Sequence, residues 1–119
     1  MTETRATQRT ARQWTYKMRL VMDQVRGKRV NDALALLRFS KKLAARQIEK
    51  VLKSAVANAE QAARASSAAL DVDELYITRA VINEGPKLKR FMPAAMGRAT
   101  PVKKRTSHVK IAVAPKETK

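Results

Sequence analysis

Apolar side chains recur along this sequence with two different periods, and the change between them divides the chain. From about residue 15 to residue 64 they return every three to four positions, the spacing of amphipathic helices. Met18, Val21, Met22 and Val25 share one face of a first helix running to about Arg26. Thr15 is placed to cap its start, and Gly27 to end it in a left-handed conformation. A second, shorter helix takes Asn31 or Asp32 as its cap and Ala33, Leu34, Leu36 and Leu37 as its apolar side. Phe39-Ser40 closes it, with Ser40 placed to cap the next. The third helix, from about Lys41 to Arg64, has the clearest pattern. At about 100° per residue, Ala44, Ala45, Ile48, Val51, Leu52, Ala55, Ala59 and Ala62 fall within an arc of about 120°. Lys42, Arg46, Glu49, Lys50, Lys53, Glu60 and Arg64 lie opposite, with Glu49 and Lys53 spaced to pair.

After a small-residue loop (Ala65 to Asp73) the period becomes two. Leu75, Ile77 and Val81 alternate with Tyr76, Thr78, Ala80 and Ile82, and Val109, Ile111 and Val113 alternate with His108, Lys110 and Ala112. Residues 6–12, ATQRTAR, suit a short strand or an extended arm. The two late strands pair most simply as an antiparallel hairpin. If pairing continues to a turn near Pro93–Gly97, the ribbon has about 13 residues a side beyond Ala80 and reaches roughly 40 Å.

The connection itself, Gly85 to Pro101, holds three of the four prolines, two of the three glycines, and Lys87, Lys89, Arg90 and Arg98 with no acid. Unstructured connections of this length are uncommon inside a compact domain and belong to functional arms or disorder. Leu88, Phe91, Met92 and Met96 weigh against disorder, since charged linkers carry few large apolar groups. The expectation is one domain: a body of about residues 6–83 and 102–114, and an arm of about 84–101 whose shaft continues into both flanking strands.

Charge then names the class of partner. Lys and Arg number 26 against ten Asp and Glu, a formal +16 on 119 residues. Self-repulsion of that size is relieved by a polyanion. Residues 1–30 hold eight bases and two acids, residues 31–83 eight and six, and residues 84–119 ten and two. The middle third reads as scaffold and the two ends as the binding surface. With 20 alanines and five aromatic residues the core is small. Absence of cysteine excludes a disulfide scaffold and fits a reducing compartment, and no apolar run is long enough to span a membrane. No nucleophile–base pair, phosphate-cradling glycine loop or metal-ligand spacing is present, so neither an enzyme nor a cofactor or metal is expected.

Several blocks carry a closer likeness: VRGK (Val25 to Lys28), ALALLRF (Ala33 to Phe39), IEKVLKSAVANAE (Ile48 to Glu60), INEGPKLKRFMP (Ile82 to Pro93), GRA (Gly97 to Ala99) and KRTSHV (Lys104 to Val109). In this order and spacing the sequence resembles the ribosomal protein L twenty-two family, large-subunit proteins of the nascent-peptide exit tunnel. The resemblance implies an α+β fold, three helices packed on a small three-stranded antiparallel sheet with a long protruding β-hairpin. It implies a bacterial-type, cytoplasmic ribosomal protein that binds large-subunit ribosomal RNA and assists assembly. Its partners would be that RNA, other large-subunit proteins and, in passing, the nascent polypeptide, with the chain a monomer in the ribosome and no membrane or DNA bound. Expected RNA contacts are Arg9, Arg12, Lys17, Arg19, Arg26, Lys28, Arg29, Lys87, Lys89, Arg90, Arg98, Lys103, Lys104, Arg105, Ser107, His108 and Lys110. The tunnel-lining tip would be Leu88, Lys89, Arg90, Phe91, Met92, Pro93, Ala94, Ala95, Met96 and Gly97. Two positions depart from the family pattern: Trp14-Thr15-Tyr16-Lys17 replaces a Ser-Pro-Arg-Lys helix start, and Ala94 replaces an Arg after the tip proline.

Each group also has a plainer reading. The charged face of the third helix is either solvated or in contact with RNA. Gly85-Pro86 and Gly97 set turns or close approaches to RNA backbone. The apolar tip wedges against bases, lines a wall or packs on itself. His108 meets a phosphate or base, or faces solvent as an ordinary strand residue. Trp14 and Tyr16 cover the core or stack on bases, while Asp71, Asp73 and Glu74 serve capping and charge balance. The rival function is a DNA-bending architectural protein, which also joins basic helices to a β-arm with a proline near its tip.

Overall fold

The three-to-four spacing produces helices where it occurs. The computed structural model describes residues 3–11, 13, 15–66, 72–93, 97 and 99–115. The first helix, α1 (Thr15–Val25), turns Thr15, Met18, Val21, Met22 and Val25 inward. Thr15 is therefore part of the buried face and not a cap. Gly27 follows at φ +73°, the left-handed conformation that glycine adopts without a Cβ penalty.

Helix α2 (Val30–Phe39) has Arg29 at its N-cap with no side-chain cap bond. Asn31, expected to cap, instead donates through Nδ2 to Asp73 Oδ1 at 2.5 Å and ties α2 to the short 3-10 turn Val72–Glu74. Ser40 ends α2, its N–H donating to the carbonyls of Leu36 and Leu37. The cap position of α3 (Leu43–Ala65) belongs to Lys42, whose N–H donates to Ser40 Oγ at 3.3 Å. The buried stripe of α3 is Ala44, Ala45, Ile48, Val51, Leu52, Ala55, Ala59 and Ala63. Ala62 is exposed and Ala63 takes its place, because the stripe advances mainly in steps of four and the last turn keeps that step.

Five strands complete the described chain: β1 (Thr4–Ala11), β2 (Leu75–Glu84), β3 (Leu88–Pro93), β4 (Ala99–Lys104) and β5 (Ser107–Pro115). Strand β5 lies at the centre of an antiparallel sheet of order β1-β5-β2. Val109, Ile111 and Val113 face the helices with Leu75, Ile77, Ala80, Ile82 and Ala6. Val81 was expected on the side of Leu75 and Ile77, but it is exposed. A bulge between Ile77, opposite Val113, and Arg79, opposite Ala112, inserts Thr78 as an extra residue. One extra residue reverses the alternation of everything after it, which brings Ala80 and Ile82 inward.

Both edges of this sheet are covered from the helical side. Arg19 Nη2 donates to Ile82 O and Arg26 Nε to Ala80 O, each at 2.9 Å, so two guanidinium groups of α1 satisfy the free edge of β2. Ile77 N–H donates to Lys28 O at 3.0 Å on the same strand. On β1, Asn58 Nδ2 of α3 donates to Arg5 O at 3.0 Å. The β2 edge, occupied in this way at three points, is a poor template for another strand. Tyr16, which sequence placed over the core, is 60% exposed, since it lies off the α1 face that Met18 and Met22 define. Trp14 lies outside the described residues.

Beyond Glu84 and Ser107 the pairing resumes as a two-stranded antiparallel ribbon. Its register runs from Leu88 opposite Lys104 to Pro93 opposite Ala99. The joint between sheet and ribbon is Gly85–Lys87 with Arg105 and Thr106. There Gly85 N–H donates to Thr106 O at 2.9 Å, and Thr106 Oγ1 donates to Pro86 O at 2.5 Å. The radius of gyration is 17.8 Å, against about 13–14 Å for a compact chain of this length. With a long dimension of 66 Å, the molecule is an α+β fold drawn out along one axis.

Candidate nucleic-acid interface

Strand register sets which side chains share the face of the sheet away from the helices. Arg5, Ala112 and Arg79 form one row across β1, β5 and β2, and Thr7, Lys110 and Val81 form the next. Arg5, Thr7, Arg79, Val81 and Lys110 are all exposed. The helical side of the sheet is thus apolar and the outer side cationic. Glu3 Oε2 approaches Arg79 Nε only to 3.9 Å in an exposed pair, which offsets little of that charge.

Towards the ribbon, β1 loses register between Gln8, opposite Val109, and Ala11, opposite Ser107. Within this irregularity Thr10 has φ +58°, an uncommon backbone for a β-branched residue. Its N–H donates to His108 Nδ1 at 3.1 Å. Nδ1 is thus the acceptor of a bond within the chain, and Nε2 is the ring nitrogen that this bond does not use. Thr7, Arg9, Thr10, Pro86, His108 and Lys110 line an open groove of about 580 Å³ at the foot of the ribbon. It presents two cations, two hydroxyls and an imidazole, a set that suits phosphate oxygens. Strained backbone that persists beside such a concavity is a recognised mark of a site.

The other expected contacts divide by what already engages them. Ser107 is fully buried and donates Oγ to Gln13 O at 2.6 Å, so it braces the foot of β5 and presents no group outward. Arg19 and Arg26 hold the edge of β2, with Arg26 Nη1 also 2.6 Å from Asp23 Oδ1. Arg29 donates Nε to Tyr76 Oη at 3.1 Å and lies 5.7 Å from that ring centre. The hydrogen bond raises the already high guanidinium pKa, so Arg29 stays charged. Lys17, Lys28, Lys87 and Arg105 are exposed. For Leu88, Lys89, Arg90, Phe91, Met92, Pro93, Lys103 and Lys104 the backbone alone is described, in the ribbon register given above. Arg12, Asp71, Ala94, Ala95, Met96 and Arg98 lie outside the described residues. Gly97 is exposed with φ +72° and open space around it. Gly85, by contrast, is approached by its own chain: a Cβ there would stand 2.5 Å from Thr106 Oγ1.

Three cations escaped the sequence reading of the interface or of its support. Arg5 lies before the expected strand of residues 6–12 but within the observed β1, and Arg79 reaches the outer face through the bulge at Thr78. Arg46, read as one of a charged face, joins two helices: Nη1 donates to Leu37 O at 3.2 Å, and Nη2 to Arg38 O and Ser40 O at 2.9 Å each. Glu49 accepts from Arg46 at 3.1 Å and from Lys53 at 3.0 Å, the second being the pair that the spacing suggested. The Lys53 hydrogen bond, with help from Arg46, holds the Glu49 pKa below the usual carboxylate value. Among the described residues no group of three His, Asp or Glu side chains is placed to hold a metal ion.

Residues 6–114, which contain the body, the groove and the whole ribbon, match the family model described as ribosomal protein L22p/L17e. The chain is 50% identical over 115 residues to the large ribosomal subunit protein uL22 of Magnetococcus marinus, covering 97% of each. It is 49% identical over 116 residues to the protein of that name from Ligilactobacillus salivarius, covering 98% of this chain and 96% of the relative. The corresponding protein of Lacticaseibacillus casei is 49% identical over 117 residues, again covering 98% and 96%. Extended across body and arm alike, these matches mean that the chain belongs to the ribosomal protein L22p/L17e family.

Proposed function

We propose that this protein is a structural constituent of the large ribosomal subunit in the cytoplasm, carrying out no chemistry of its own. Family membership and the names of its relatives support that much. In this reading it binds large-subunit ribosomal RNA through the groove at the ribbon's foot, the outer face of the sheet and the ribbon itself. Arg9, Lys110 and His108 meet phosphates in the groove, Arg5 and Arg79 extend the track, and Lys87 and Arg105 begin the shaft. The body, about residues 6–83 and 102–114, holds position on folded RNA. The arm joins RNA segments that would otherwise repel one another, assists assembly, and brings its tip to the wall of the nascent-peptide exit tunnel.

One observation carries the RNA-binding part. The ribbon register puts Lys89 directly across from Lys103, and between Lys87 and Lys110 the chain has eight cations and no acid. Like charges directly opposed on a two-stranded ribbon are destabilising in water, and such a ribbon is marginal alone. A polyanion between and around the strands removes the penalty and gains counterion release. Sedimentation of tagged protein from lysate at moderate salt tests the assignment. It is expected with the large subunit; recovery with the nucleoid would favour the DNA-bending alternative instead.

A further inference from the structure

The turn between α2 and α3 holds a feature that neither the groove nor the ribbon explains. Phe39 is 83% exposed, the most exposed of the large apolar side chains described, and Leu43 just beyond it is 65% exposed. Their backbone is nevertheless pinned. The Arg46 guanidinium binds the carbonyls of Leu37, Arg38 and Ser40, on both sides of Phe39, and Glu49 anchors Arg46 in turn. Ser40 N–H closes the end of α2, and Ser40 Oγ accepts from Lys42. An aromatic ring displayed to water on so firmly fixed a turn makes no contribution to the core.

Charge around it selects the partner. Residues 33–48 contain Arg38, Lys41, Lys42 and Arg46 and no acid. An aromatic face among cations fits an unpaired nucleotide, whose base stacks on the ring while its phosphates meet the lysines. We infer that Phe39 is a stacking platform for an unpaired base of the RNA this protein binds, with Arg38, Lys41 and Lys42 holding the adjoining phosphates. The inference rests on the RNA-binding reading above, but it adds a second contact region on the helical body. Pinning by Arg46 matters because a turn whose backbone is already fixed loses little freedom when a base arrives.

Purified, deproteinised large-subunit RNA is the probe, and the full chain is titrated across a range of salt. Phe39→Ala should weaken binding by about 5- to 150-fold, the range expected for one base stacked on an aromatic side chain. The slope against log salt should not change, since no phosphate contact is removed. Phe39→Trp should restore affinity, whereas Lys41→Ala with Lys42→Ala should lower the slope. Thermal melts of each variant should match the parent, as the ring contributes nothing to the core. Photo-crosslinking from Phe39→p-benzoylphenylalanine in assembled subunits should reach RNA. Equal affinity of parent and Phe39→Ala, no rescue by tryptophan, or crosslinking to a protein would overturn the platform. Failure of the parent to bind the RNA at all would instead overturn the RNA-binding reading beneath it.

Discussion

Replacing Gly85 by alanine tests how the ribbon leaves the body. The Gly85 backbone is outside the left-handed region, so alanine meets no dihedral penalty; the obstacle is space. An added Cβ would stand 2.5 Å from Thr106 Oγ1, 3.3 Å from the Thr106 carbonyl carbon and 3.4 Å from His108 Cε1. Thr106 is buried and its hydroxyl donates to Pro86 O, so Oγ1 cannot move aside without giving up that bond. Either the hydroxyl turns away and is left unpaired, which costs about 1–3 kcal/mol, or the strands part and the joint is strained by about 1–3 kcal/mol. The molecule takes the cheaper response, so the net loss should be about 1–3 kcal/mol. For a domain of this size that lowers the melting temperature by roughly 4–15 °C, measured by circular dichroism. Thr106→Ala removes the obstructing atom, so Gly85→Ala with Thr106→Ala should be more stable than the sum of the single effects allows. A Gly85→Ala variant that melts with the parent, or a strictly additive double variant, would refute the close approach.

Further outcomes follow from the same geometry. Arg46→Ala should destabilise the protein by about 1–3 kcal/mol in a denaturant titration, because three carbonyls lose a charged donor and Glu49 loses one of its two cations. Glu49 has its folded pKa lowered, so its contribution is present above the unfolded value of about 4.3 and disappears as pH falls through the folded value. Glu49→Gln should therefore be less stable than the parent at pH 7 and converge on it in acid, seen by melting across pH. Deleting Lys87 to Arg98 should lower both RNA affinity and its salt slope, while a short Asn-Gly turn in place of Gly85–Pro101 should leave helical circular dichroism and a cooperative melt. Lys104→Ala with Arg105→Ala should reduce occupancy in purified large subunits more than Phe91→Ala with Met92→Ala, whose effect should fall on the tunnel wall.

What the sequence disclosed, and what it hid, depends on whether a feature is periodic. The α3 stripe was legible in seven of its eight residues because many apolar positions repeat the same angle, and only the drift from Ala62 to Ala63 at the last turn was lost. The Glu49–Lys53 pair was legible because it needs only one helix. Val81 was misplaced because a bulge is one inserted residue, and LYITRAVIN contains nothing that marks Thr78 as the insertion. Helix caps were misplaced because Asn31 found a partner in Asp73, and because α3 begins two residues later than Ser40, whose hydroxyl accepts from the Lys42 N–H at the cap position. The groove was half legible. Arg9, His108 and Lys110 were named singly, but only register and the positive φ of Thr10 bring them together with Thr7 and Pro86. Ser107 was read from its motif as a contact, and only the fold reveals that its hydroxyl is buried and bonded to Gln13 O.

Charge counting also conceals a division of labour among the arginines. Arg19, Arg26 and Arg46 each reach backbone carbonyls at 2.9 Å, two at the edge of β2 and one at the turn below Phe39. A guanidinium has five donors in a fixed plane, so it can hold several partners at once, as Arg46 holds three carbonyls and Glu49, which an ammonium cannot do with the same geometry. These three residues therefore brace the folded body beside the surface proposed to meet RNA, each closing a sheet edge or a turn with a group that keeps its bonds in one plane. Lys17, Lys28 and Lys87 are exposed, and an ammonium on a flexible stem is a point charge without such a plane. Replacement of the arginines by lysine preserves the net charge of +16 but removes the plane. The long-range attraction to a polyanion would then survive while the fixed register of the surface would not. For a protein whose proposed work is to hold RNA segments in one arrangement, that register matters more than the total charge.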